Sequence, residues 1–203
     1  MIRTARVVMW LAASTTAQVR AGEILAVAVE RFDQRYVVEI DVRFAAPSER
    51  LRAVLTDYAH LGRINDSIRR SEVIEVNSPQ HHCVLTEADV CVSVFCKHIV
   101  QVQDVSVLPG GSILAMVRPT RSDFRYGVAR WDFWQEPTGT RMRFRSEIEP
   151  AFWVPPVIGP WLIQRALQAE TIKSVTNLER LAEGGSTSVS GPAVEDEPVP
   201  VRQ

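Results

Sequence analysis

Three histidines and three cysteines crowd into one short stretch: His81, His82, Cys83, Cys91, Cys96 and His98. Imidazole and thiolate are the ligands that zinc prefers. The spacing argues against that use, because the stretch holds no C-x-x-C pair and a strand would send neighbouring side chains to opposite faces. A Cys–His nucleophilic pair fares no better, since no third group stands at a recognisable spacing to orient it. In an exported protein a disulfide is the better reading. Cys91 and Cys96 would close a hairpin turn over Val92–Phe95, leaving Cys83 either as a buried thiol or as the real partner across the strands. No metal and no cofactor is expected.

A second group is aromatic. Phe124, Tyr126, Trp131, Phe133 and Trp134 lie together, flanked by Arg125 and Arg130 and by Asp123 and Asp132. These residues are either core packing beside ion-paired surface arginines, or one wall of a pocket whose arginines meet a ligand carbonyl or carboxylate. Further on, no charge occurs from Ala151 to Ile163. That segment is either a lid over a cavity or a surface whose Phe152, Trp153 and Trp161 touch a membrane or a partner. The cavity candidates are thus Tyr126, Arg130, Trp131, Phe133 and Phe144 on strands, Phe152 and Trp153 on the connector, and Ile163, Leu167, Thr171 and Ser174 on the helix after it. Thr171 and Ser174 interrupt an apolar seam with small hydroxyl side chains, which leaves space above a sheet. Gly110-Gly111 reads as a hairpin turn, not a phosphate loop, and nothing argues strongly for an enzyme.

The elements that must position these residues follow from periodicity. From Arg35 to Phe44 the residues alternate, with Tyr36, Val38, Ile40, Val42 and Phe44 on one face and Glu39, Asp41 and Arg43 on the other, as in a half-buried antiparallel strand. Ala46-Pro47-Ser48-Glu49 opens a helix with Leu51, Val54, Leu55 and Tyr58 on one stripe, and Tyr58–Ile64 continues as a short helix or turn. Strands are predicted at Glu72–Val76, His82–Cys91, Phe95–Val107, Ser112–Arg118, Gly127–Gln135 and Arg141–Glu149, separated by Pro/Gly/Asn turns. A long helix then runs to about Glu183, with Ile163, Leu167, Thr171, Ser174, Leu178 and Leu181 on one seam and a second apolar strip at Leu162, Ala166, Ala169 and Ile172. Burying that seam against the apolar sheet face gives a curved sheet around a C-terminal helix.

Of 203 residues, 46% are hydrophobic and 23% charged, with a formal net charge of -1. No basic stripe is present to displace counterions from phosphates, so a nucleic-acid partner is not expected. No apolar run approaches the roughly 20 residues of a membrane span. Residues 1–21 have a basic opening (Arg3, Arg6), an apolar run from Val7 to Ala13 and a small, polar end, the layout of a signal peptide cleaved before Gly22; the competing reading is a native first helix. Residues 184–203 lack bulky apolar side chains and read as a disordered tail. The folded domain is therefore placed at 22–183, exported, as a monomer, to a bacterial periplasm or beyond.

The stretch VRFAAPSERLRAVLTDYAHLGRIN, Val42–Asn65, resembles the entry segment of the START-like (SRPBCC) superfamily, although Asn65-Asp66 stands where many members have a proline. Gly127–Leu178 is similar to the last two strands and grip helix of polyketide cyclase/dehydrase and coenzyme Q-binding START-type proteins. The resemblance covers roughly Ile24–Glu183. It implies an α+β helix-grip fold, with six to seven curved antiparallel strands around a long C-terminal helix and two short helices after the first long strand. It also implies binding, and transport, of a hydrophobic small molecule or lipid (an isoprenoid quinone, phospholipid or acyl chain) in an internal cavity. The alternative is an aromatase/cyclase-like enzyme in which Arg130 and Tyr126 polarise a polyketide carbonyl. A third, an interaction module like the ribosome-association toxin, is incompatible with export.

Overall fold

The computed structural model describes residues 22–92, 94–154 and 160–184. The proposed signal peptide, and all but Gly184 of the proposed tail, lie outside these residues. The alternation from Arg35 to Phe44 forms strand β2 (Arg35–Phe44), which buries Tyr36, Val38, Val42 and Phe44 on its concave face; Val37, on the opposite face, is buried as well. Before it comes β1 (Glu23–Phe32), joined to it by a tight turn in which Asp33 takes a φ of 58°. Aspartate tolerates that left-handed conformation better than most residues. This strand is absent from the sequence reading.

After β2, helix α1 (Ser48–Leu55) and a 3-10 helix (Tyr58–Arg63) carry the chain to the far edge of the sheet. There a meander begins: β3 (Ile68–Ser78), β4 (His81–Val92), β5 (Phe95–Val107), β6 (Ile113–Val117), β7 (Phe124–Glu136) and β8 (Gly139–Pro150). The last strand returns to pair with β2, so eight antiparallel strands run in the order β1-β2-β8-β7-β6-β5-β4-β3. Eight replaces the expected six to seven. Gly139 makes the junction possible, because at its φ of 145° a Cβ would sit 2.0 Å from the Phe44 carbonyl oxygen.

Helix α2 (Pro160–Ala182) touches β1 on one side of the sheet and β4 on the other, so the sheet curves around it, consistent with a helix-grip. Among its described side chains the buried ones are Thr171, Val175, Leu178, Glu179 and Ala182. Of the expected seam, Thr171 and Leu178 are buried and Ser174 and Leu181 half-buried, while Val175 and Ala182 join Leu178 against Val42, Phe44, Leu51 and Met142. Ile172, read as part of a second apolar strip, is exposed. The helix ends at Ala182, and Gly184, with a φ of 90°, donates its N–H to the Leu181 carbonyl.

Candidate functional site

Between α2, the 3-10 helix and the concave sheet face lies a cavity of about 380 Å³. Ile113, Ala115, Met142, Val175 and Leu178 supply apolar wall at its α1 end; Leu61, Ile64, Asn65 and Ile68 come from the 3-10 helix and the start of β3. On its floor Trp131 and Phe144 pack with ring centroids 4.9 Å apart. Sheet parity builds this surface: Ile113 pairs with Trp131, Trp131 with Phe144 and Phe144 with Ile40, which sets them side by side on one face.

Of the residues singled out in the sequence, Trp131, Phe144, Thr171 and Ser174 line this cavity. Phe133 faces the same way but packs under α1, with Arg52 over its ring, and is not part of the wall. Tyr126 and Arg130 are corrections. Both stand on the convex face, where Arg130 holds Asp132 at 2.8 Å and the Tyr126 ring lies 4.3 Å beneath the Arg35 guanidinium. Neither reaches a ligand in the cavity. Phe152 meets Phe124 edge-on with Lys97 over its other side, again outside the wall. Trp153 is 75% exposed, which contradicts a resting lid for that ring. The side chains of Ile163, Leu167 and Trp161 lie outside the described residues.

The convex face collects the cations. Arg35 pairs with Glu147 and Glu149, Arg141 with Asp41, Arg145 with Glu39, and Arg118 with Asp104 and Glu75. These pairs hold Asp41, Asp104 and Asp132 below the ordinary aspartate range, with hydrogen bonds from Arg141, Arg118 and Arg130 as the main cause. Cys91 and Cys96 are disulfide-bonded near the tip of the β4–β5 hairpin, and Cys83 is a buried free thiol, which resolves the choice left open by the sequence. Among the described residues no three His, Cys, Asp or Glu side chains gather to hold one ion, and no helix is long and apolar enough to cross a membrane.

Two residues passed over in the sequence matter here. Tyr58 is 7% exposed and forms part of the cavity wall, yet its hydroxyl is buried without a hydrogen-bond partner. Burial pushes its pKa up. Glu179, 2% exposed, accepts the N–H groups of Ala45 and Ala46 at 2.8 and 2.9 Å, and burial pushes its carboxyl above the ordinary range. Tyr58 was legible only as the end of a helical stripe. Glu179 had no signal, since its burial depends on the loop after β2.

A family model described as polyketide cyclase / dehydrase and lipid transport matches residues 35–183. Among solved structures the fold is similar to TTHA0849 from Thermus thermophilus, with a TM-score of 0.61 and 18% identity over 74% of this chain and 99% of that one. It is also similar to the Zhui aromatase/cyclase from Streptomyces sp. R1128, with a TM-score of 0.59 and 14% identity over 77% and 99% of the two chains. A STAR-related lipid transfer protein from Xanthomonas axonopodis, present as a fragment, gives a TM-score of 0.53 and 11% identity over 75% and 98%. No curated protein matches the sequence.

Proposed function

The chain belongs to the polyketide cyclase/dehydrase and lipid transport family, and from that premise we propose that it binds and carries a hydrophobic small molecule or lipid in the cavity beneath α2. The observation that supports this most is the wall itself: a concave surface made mainly of Ile, Val, Leu, Met, Trp and Phe side chains, interrupted by a few neutral polar groups and by Glu170. Its volume of about 380 Å³ falls within the roughly 300–1,000 Å³ of sites that bury most of a small ligand. An aromatase/cyclase reading gains no support from Tyr126 and Arg130, its two polarising groups, because both are on the far side of the sheet.

In this reading ligand exchange uses the end of the molecule where three apolar tips converge. The β1–β2 turn presents Phe32, the β4–β5 hairpin presents Val94 and Phe95, and the segment after β8 presents Trp153. Lys97 over the Phe152 ring brings the second of these against the third, and pairing of Tyr36 with Ile148 brings in the first. Export to the periplasm belongs to the same proposal.

The test is to fill the cavity. Ser174→Phe and Thr171→Trp, on the helix wall, are expected to abolish uptake of an environment-sensitive apolar fluorophore while circular dichroism stays native. Uptake by both folded variants equal to that of the unmodified protein would sink the reading.

A further inference from the structure

Building on that reading, we propose that the cavity selects a neutral ligand whose hydrogen-bonding oxygen seats against Tyr58 and the neighbouring rungs of β4 and β5, and that it excludes ligands bearing an anionic group inside. Two independent observations converge on this: the charges the wall lacks, and the polar group it leaves unsatisfied.

Among the described residues the wall contains no Arg, Lys or His. The sequence from 155 to 164 adds none, since it reads PPVIGPWLIQ. Arg35, Arg130, Arg141 and Arg145 of the sheet pair instead with acids of the convex face. Among the described residues the one charged side chain on the wall is Glu170, an acid, held by Lys173 at 3.1 Å one turn on. A carboxylate or phosphate entering here would lose its water, find no cation to replace it and meet a like charge. Burial of an ion on those terms is strongly unfavourable.

Neutral polar groups, by contrast, are grouped. Thr86 pairs with Gln101 across the β4–β5 ladder, and Gln103 is one rung along, opposite Val84. All of these face the cavity. Tyr58 packs in the same cluster as Val84 and Val105, and its hydroxyl has no partner. Behind it the His82 ring stands 5.4 Å away, with a buried Nδ1 that is also unpartnered. A buried hydroxyl left without a bond is destabilising, and such a group in a native structure calls for an explanation. A ligand carbonyl, hydroxyl or ether oxygen supplies it. The raised Tyr58 pKa keeps the phenol protonated and able to donate.

The experiment uses three medium-chain probes of matched length: a methyl ketone, the carboxylate and the hydrocarbon, each displacing the apolar fluorophore. At alkaline pH the ketone is expected to bind at least about tenfold more tightly than the carboxylate. Carboxylate affinity should rise, relative to the ketone at each pH, as acid converts that probe to its neutral form. Tyr58→Phe should lower ketone affinity about five- to tenfold, leave hydrocarbon affinity unchanged and raise the melting temperature of ligand-free protein, because it deletes an unsatisfied hydroxyl. Gln103→Lys should reverse the order in favour of the carboxylate. Equal ketone and carboxylate affinities, or a Tyr58→Phe loss shared by the hydrocarbon, would overturn the selectivity and leave the carrier reading standing. Failure of all three probes to bind would overturn both.

Discussion

Glu179 sits between Leu178 and Arg180 on α2 and would pass for a solvated charge, yet it clasps the backbone of Ala45 and Ala46. Burial raises its pKa above the unfolded value, so the folded state holds its proton more tightly. Its contribution to stability is therefore fully present below the unfolded pKa and is lost as pH rises through the folded one. Glu179→Gln keeps an acceptor for the two N–H groups and removes the titration. The melting temperature of this variant, minus that of the unmodified protein, is predicted to grow from acid to neutral pH; a pH-independent difference would contradict the assignment. Glu179→Ala, which leaves both N–H groups without their acceptor, should cost about 1–3 kcal/mol. Trp131 and Phe133 share a parity, and Tyr126 and Arg130 share the other, so strand alternation alone already separated the aromatic wall from the proposed carbonyl-polarising pair. No such rule exposes Glu179, whose partners lie over a hundred positions away.

At the scale of elements, the meander was legible because each strand carries its own turn signals, and β5 was placed at Phe95–Val107 as observed. β1 was missed. Its sequence EILAVAVERF is nearly continuous in apolar residues and follows directly on the export-like segment, and its strand identity comes from pairing with β2. Two elements carry predictions. The β4–β5 hairpin is closed by Cys91–Cys96, and such a short loop constrains the unfolded chain only modestly, on the order of 2 kcal/mol. Reduction should lower the melting temperature without unfolding the domain, and in denatured, unreduced protein alkylation should label Cys83 alone; labelling of three thiols would remove the staple from the account. The segment after β8 carries Trp153, which is 75% exposed. Moving such a ring into a bilayer interface gains roughly 1.5–3 kcal/mol, a change of about ten- to a hundredfold in partitioning. Trp153→Ala is predicted to weaken liposome binding and slow ligand transfer by up to that factor. Unchanged transfer in folded variant protein would take the segment out of the exchange step.

For the whole molecule, the curved sheet around α2 was readable from order alone: strand, short helices, meander, one long amphipathic helix. What order cannot convey is which parts of the seam press on the sheet and which leave space. Val175, Leu178 and Ala182 close the α1 end against Val42, Phe44 and Leu51, and the smaller Thr171 and Ser174 stand off from Trp131 and Phe144 to leave the cavity. That division depends on the curvature of eight strands, a property of the assembled sheet. The carrier reading depends on the same space. Its most direct test is the native mass of protein purified from its own host without detergent, beside that of Ser174→Phe prepared identically. The account predicts a one-to-one adduct of a neutral, organic-extractable compound on the unmodified protein and none on the variant. Bare protein in both samples, or the same adduct on both, would contradict it.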